Sequence, residues 1–163
     1  LAVRIGLLED KYILKYVVPV DTAAIDLTTD KYGNAFNFVE GDELFLSFNI
    51  PKWNLATFGR INMRINNISS PIYNVQNVTP FSSIFTAGTN YKNQRCLVRL
   101  IIINNEILGF YTNQSTSQND SRISELHPFY TVGFNSGGIT SIQLITQGGV
   151  TIPANSVFIL KKK

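Results

Sequence analysis

Leu44, Leu46, Phe48 and Ile50 alternate with Phe45, Ser47 and Asn49, and Pro51 closes the run. A period of two places the two sets on opposite faces of a strand. Ile61, Met63 and Ile65 alternate still more strictly with Asn62, Arg64 and Asn66, the pattern of a sheet with one wet face. Residues 12–18 are rich in Tyr, Ile and Val and run into Pro19, which donates nothing to a ladder. A strand over 36–39 follows the turn Asp30-Lys31-Tyr32-Gly33-Asn34. The near-continuous apolar run 97–103 leads through Asn104-Asn105 into 107–111, which predicts an antiparallel hairpin. Residues 130–134, 141–145 and 156–160 supply three more strands, set apart by Asn135-Ser136-Gly137-Gly138 and Gln147-Gly148-Gly149. Residues 112–125 are polar and lack periodicity, so they predict a long loop.

A helical period is missing beyond the first stretch, and eight or nine short strands with Gly, Asn and Pro turns predict an all-β chain. The architecture expected is a two-sheet β-sandwich of the jelly-roll kind, with a closed barrel as the alternative. Residues 1–11 read as a linker or short helix, and 12–163 as one sandwich domain. The expected core comprises Leu46, Phe48, Ile61, Met63, Ile65, Leu100, Ile102, Leu108, Phe110, Val132, Phe134, Ile142, Leu144, Val157 and Ile159.

At 163 residues the chain fits one domain, and 44% hydrophobic residues with 15% charged ones exclude intrinsic disorder. The apolar runs are far shorter than the roughly 20 residues of a spanning helix, so membrane insertion is not expected. Of the net charge of +3, a large part is the terminal Lys161-Lys162-Lys163. A near-neutral body argues against nucleic acid as a partner. The start at Leu1 reads as a fragment or a processed chain with no visible signal peptide.

The single cysteine, Cys96, lies in an apolar run and reads as a buried thiol. The single histidine, His127, precedes Pro128, and nothing in the spacing brings the two into a dyad. Asp21, Asp26, Asp30, Asp42, Glu43 and Asp120 sit in turn sequences. Asp26, Asp30 and Asn34 around Gly33 offer oxygen ligands for calcium but lack the spacing of a calcium loop. Histidine clusters, phosphate-cradling glycine loops and a Gly-x-Ser-x-Gly elbow are absent. No cofactor and no catalysis are therefore expected, and a binding role is.

Asparagines near aromatics carry that expectation, because planar amides donate to and accept from sugar hydroxyls while aromatic faces cover apolar C–H surfaces. Trp53, the only tryptophan, follows a strand end at Pro51 and is the strongest candidate. It is either presented by a loop or packed as an edge cover. Tyr73 with Asn74, and Tyr111 with Asn113, complete the candidate ligand-binding set. Lys52, Arg60 and Arg64 offer charges that suit phosphates of a phosphopolysaccharide.

Residues 139–145 followed by Gly148-Gly149-Val150-Thr151-Ile152-Pro153-Ala154-Asn155-Ser156 and a last strand to Lys161 resemble the closing hairpin of jelly-roll domains in bacteriophage tail, baseplate and tail-fibre proteins. Residues 25–36 are similar in style to opening strands of tail proteins from phages of low-GC Gram-positive hosts. Asn155 stands where that family has glycine, and Asn also takes positive φ. The resemblance implies a virion protein at the tail surface that binds host cell-wall polysaccharide or another glycan, alongside other virion structural proteins and as a homo-oligomer. A purely structural virion component, and a carbohydrate-binding module or small glycan-active enzyme domain, are the alternatives. The shared motif is a structural corner, so it carries over no binding residue.

Overall fold

A computed structural model describes residues 12–51, 59–67, 72–74, 83–87, 91–104, 106–117, 121–123, 127–131 and 138–163. Within these, 59–60, 72–74, 83–87, 91–94, 113–117, 121–123 and 127–131 are described by their backbone. The linker or helix expected over 1–11, and the core positions Val132 and Phe134, lie outside the described residues.

One sheet contains β1 (Leu14–Val17), β3 (Glu43–Ile50), β5 (Ile72–Asn74), β7 (Tyr91–Ile103), β8 (Glu106–Ser117), β9 (Ser121–Ile123), β10 (His127–Thr131) and β12 (Val157–Lys162). The other contains β2 (Ala24–Leu27), β4 (Gly59–Ile65), β6 (Ser83–Ala87) and β11 (Ile142–Gln147). The first runs in the order β1-β12-β3-β7-β8-β10-β5, with β9 also on β8, and the second in the order β2-β11-β4-β6. All the pairings are antiparallel. This is the expected all-β sandwich. Its described core lies between β1, β12, β3, β7 and β8 on one side and β2, β11 and β4 on the other; β5, β6, β9 and β10 are short additions.

The inward phases of the two sheets meet in one cluster. Leu44, Leu46, Phe48 and Ile50 of β3 face Ile61, Met63 and Ile65 of β4 within the same core as Val98, Leu100 and Ile102 of β7, and Ile142 and Leu144 of β11. Each such buried side chain contributes roughly 1.5–3 kcal/mol of hydrophobic stabilisation. The outward phase of β4 is polar, as its alternation demands: Asn62 and Arg64 are half-buried beside Gln143 and Gln147 of β11.

Four expected core residues face the other way. Leu108 is 38% exposed, and Phe110, Val157 and Ile159 are half-buried, while Ile107, Phe158 and Leu160 fill the interior. In β8 and β12 both phases are apolar, so alternation does not reveal which phase lies inside. Phe158 sets the phase of β12 by packing edge-on against Phe48, with centroids 5.0 Å apart and planes at 78°.

The loop expected over 112–125 is also corrected. β8 continues through Ser117 and pairs with Tyr91–Cys96 of β7, and β9 pairs back on Gln114–Thr116. Serine and threonine fit a ladder whose backbone groups are satisfied, whatever their hydropathy. The hairpin at Asn104 is as expected, with Asn104 at φ 53°. Residues 36–39 form no ladder: Phe38 makes an isolated bridge with Ile139, and the preceding Ala35 makes another with Thr29. The Val39 amide donates to Asp42 Oδ2 at 2.9 Å, which turns the chain away from a longer ladder.

The corner after Pro153 keeps its form: Asn155 sits at φ 66° and its amide donates to the Val18 carbonyl at 2.8 Å. Gly138 at φ 77° is needed for a different reason. A Cβ there would lie 2.5 Å from the Phe38 carbonyl oxygen, a clash with backbone that a side-chain shift cannot relieve.

The last lysines belong to the sheet rather than to a loose tail. Lys161 and Lys162 pair with Phe45 and Leu44, and the Lys163 amide donates to the Glu43 carbonyl at 2.9 Å. Lys162 Nζ meets Asp42 Oδ1 at 2.7 Å, and Lys163 Nζ stands 3.5 Å from Glu43 Oε2. Burial works to raise the Asp42 carboxyl, but the Lys162 hydrogen bond, the Val39 amide and the Lys162 charge together hold it below its ordinary value. Partial burial is likewise outweighed at Glu43 by Arg99 and Lys163. Carboxyls depressed in the folded state stabilise it above their unfolded value, about 4, and lose that contribution as pH falls through the lower folded value. Thermal midpoints are expected to fall as pH drops below about 5, and Lys162→Met should flatten part of that slope. An unchanged slope in the variant would contradict the ion pair's role.

Candidate functional site

The outward phase of the larger sheet is set by cross-strand register. Lys15, Ile159, Ser47, Leu97 and Thr112 stand opposite one another in one row across β1, β12, β3, β7 and β8. Val157, Asn49 and Arg95 form the row on one side of it. Lys161, Phe45, Arg99 and Phe110 form the row on the other. Strands lie about 4.8 Å apart and same-face residues about 7 Å apart along a strand, so these rows make a patch of molecular-recognition size.

Two hollows open in this patch. The larger, about 490 Å³, lies over Ser47, Asn49, Leu97 and Ile159 between Lys15 and Arg95. The smaller, about 220 Å³, lies between Phe45, Arg99 and Phe110, and the two share Leu97 and Thr112. Leu97 is 47% exposed although it is a large apolar residue in the middle of a sheet. Hydroxyls of Ser47 and Thr112 and the Asn49 amide offer both donors and acceptors, and Phe45 and Phe110 offer apolar faces.

Charge is unevenly distributed over the patch. Arg99 Nε donates to Glu43 Oε1, and its guanidinium stands 5.9 Å from the Phe45 ring centroid, so this cation is neutralised in place. The larger hollow has Lys15 and Arg95 on its rim and no carboxylate among its described lining residues. Cys96 lies beneath it, 3% exposed, and burial pushes its thiol well above the usual range. That environment keeps the thiol protonated and unreactive.

The residues singled out by sequence are placed differently. Trp53 lies outside the described residues. Tyr73 and Asn74 form β5 and pair through their backbone with Tyr130 and Phe129 of β10. Tyr111 is 7% exposed in the core cluster, where burial, with a smaller contribution from Cys96, pushes its hydroxyl up to about 12. It therefore has little surface to offer a ligand. Asn113 pairs with Cys96 through its backbone, and its side chain lies outside the description. Of the basic trio, Lys52 is outside the described residues and Arg64 lies in the smaller sheet, as does the backbone of Arg60.

The Asp26, Asp30 and Asn34 set does not converge as a calcium loop would. Asp30 Oδ1 accepts from the Tyr32 and Asn34 amides at 2.8 and 2.9 Å, and Oδ2 accepts from Asn34 Nδ2 at 2.9 Å. That hydrogen bonding, led by the Asn34 side chain, holds the carboxyl below its ordinary value. Asp26 lies in β2 opposite Gln143. Among the described residues no three His, Cys, Asp or Glu side chains gather to hold a metal.

The pattern does not reveal the patch, because the apolar Phe110, Val157 and Ile159 read as core. One signal was legible: Phe45 is an aromatic in the outward phase of β3, beside Ser47 and Asn49. No protein-family model matches the chain, and no curated protein matches it. Among solved structures it is similar to the binding domain of botulinum neurotoxin serotype D/C VPI 5993, with 10% identity over 91% of this chain and 42% of that one, at a TM-score of 0.30. The W1252A mutant of HCR D/C VPI 5995 gives the same values. The chain thus spans less than half the length of those domains.

Proposed function

We propose that the chain is a non-catalytic glycan-binding module, carried on a bacteriophage tail or baseplate and directed at host cell-surface polysaccharide. The observation that carries the binding role is the pair of linked hollows on an outward sheet face, where apolar Leu97 and Ile159, aromatic Phe45 and Phe110, and hydrogen-bonding Ser47, Asn49 and Thr112 adjoin. A pyranose needs this combination: apolar contact for one face, paired donors and acceptors for its hydroxyls. The tail setting rests on the resemblance of residues 139–161, and Asn155 at positive φ supports the corner in that resemblance. The same setting implies a place on the virion exterior, contact with other tail proteins and assembly as a homo-oligomer.

A second reading has its own support. Val17, Leu97, Ile103 and Leu108 of the same sheet are each 38–47% exposed, and apolar exposure of this kind also suits a face covered by a neighbouring subunit. In that case the chain is a structural part of the virion.

Retention of the protein by Gram-positive cells separates the two readings. Phe110→Ala combined with Leu97→Ala should weaken cell binding about thirtyfold while the fold persists, because a stacked aromatic contributes roughly 1 kcal/mol and an apolar contact a similar amount. No release of sugars should accompany binding. Binding unchanged by the double variant would remove the patch from the site. No binding to any host surface would favour the structural role, and sugar release abolished by one carboxylate substitution would make the module an enzyme.

A further inference from the structure

The larger hollow carries an imbalance of charge that bears on its ligand. Lys15 of β1 and Arg95 of β7 border it from opposite ends, both exposed, and its described lining includes no acid. The remaining cation of the neighbouring hollow, Arg99, already holds Glu43, and Lys163 stands against the same carboxylate. Lys162 is likewise spent on Asp42. Of the patch's basic residues, Arg99, Lys162 and Lys163 meet Glu43 or Asp42 at one end and Lys161 stands in the outer row beside Phe45, whereas Lys15 and Arg95 border a hollow whose other described lining residues are hydroxyl, amide, thiol and apolar.

We infer that this hollow takes an anionic glycan, one bearing carboxylate or phosphate groups along its chain, with Lys15 and Arg95 as its charge-reading residues. The inference rests on the glycan-binding reading above and narrows it. Two strands, β12 and β3, lie between β1 and β7, so three inter-strand steps and one row separate Lys15 from Arg95, which places their Cα atoms about 16 Å from each other. Two cations so spread, with Ser47, Asn49 and Ile159 between them, suit an extended polymer rather than a single small ion. Arginine binds a planar carboxylate or a phosphate through paired N–H donors, whereas lysine acts as a mobile point charge. Arg95 accordingly fixes one anion, and Lys15 tolerates variation in where the next one falls. The hydroxyls and the amide between them serve the neutral part of the sugar, which a simple polyanion lacks.

The test measures binding of the whole chain to polygalacturonate, a glycerol-phosphate polymer, neutral dextran and poly-glutamate, alongside retention by host cells. At least one acidic sugar polymer is expected to bind about tenfold or more tightly than dextran, with affinity falling as salt is raised. Arg95→Gln and Lys15→Gln should each lower that affinity about tenfold, the effect of losing a charge-assisted hydrogen bond. Lys31→Gln, which removes a cation held over the Tyr12 and Tyr32 rings and not among the residues lining the hollow, should leave it unchanged. Uronate and phosphate polymers distinguish the two sources of anion. Equal binding of dextran, equal binding of poly-glutamate, or indifference to Arg95→Gln with Lys15→Gln would overturn the inference. If cells still retain the protein in a Phe110-dependent way while the charge variants behave as wild type, only the anionic assignment fails. If neither cells nor polymers are bound, the glycan reading fails with it.

Discussion

Phe158→Ala is expected to cost about 3–5 kcal/mol of folding stability, while Ile159→Ala costs about 1 kcal/mol or less. The two residues are adjacent in β12 and both are large and apolar, so sequence gives no reason to separate them. Their environments do. Phe158 is 1% exposed and lies edge-on to Phe48 between the sheets. Truncating it deletes buried surface and leaves a cavity that rigid neighbours in both sheets cannot close. Ile159 stands half-buried in the outward row between Lys15 and Ser47. Urea denaturation of both variants reads the difference directly. Comparable losses would contradict this assignment, and a larger loss for Ile159→Ala would mean that β12 lies in the opposite phase.

Asn66→Ala should be nearly as damaging, about 2–4 kcal/mol, although no apolar contact is at stake. Asn66 follows β4 directly at φ 53°, and its side chain ties down the segment that leads into β11. Its Oδ1 accepts from the Thr140 amide at 2.7 Å, the Thr140 hydroxyl at 3.1 Å and the Ser141 amide at 3.2 Å. Its Nδ2 donates to the Gly138 carbonyl at 2.7 Å. Alanine would take these partners from the part-buried Ser141 amide and Gly138 carbonyl and would occupy a left-handed backbone for which asparagine is better suited. Asn66→Asp keeps the acceptor but loses the donation to Gly138, so it should fall between wild type and alanine in thermal midpoint. A wild-type midpoint for Asn66→Ala would show that the clamp contributes nothing.

These two cases also mark what sequence conveys about such a chain. Strict alternation in 61–66 and 44–50 was enough to place Ile61, Met63, Ile65, Leu46 and Phe48 inside, because each polar residue there excludes one phase. Where both phases are apolar, as in Ile107-Leu108 and Phe158-Ile159, burial is decided by partners distant in sequence, and local pattern is silent. The candidate patch falls in that blind spot. It consists of outward residues whose apolar character made them resemble core, and it exists only because register brings five strands into common rows. Tyr111 erred in the opposite direction: a polar hydroxyl near a strand end suggested a surface ligand contact, yet its ring belongs to the interior. Asn155 was legible because a backbone requirement is local, and asparagine meets it at φ 66°. Asn66 was not, since its partners lie more than seventy residues away, at 138–141.

The location of binding is the central claim, and an amide NMR titration of the whole chain with host-wall polysaccharide fragments tests it most directly. The account predicts shifts concentrated at Lys15, Ser47, Asn49, Arg95, Leu97, Thr112 and Ile159, on one outward sheet face. It predicts none at Asp26, Asn62, Arg64 and Gln143 on the outer face of the smaller sheet. Shifts centred on that smaller sheet or confined to the segment around Trp53, with the patch unmoved, would contradict it.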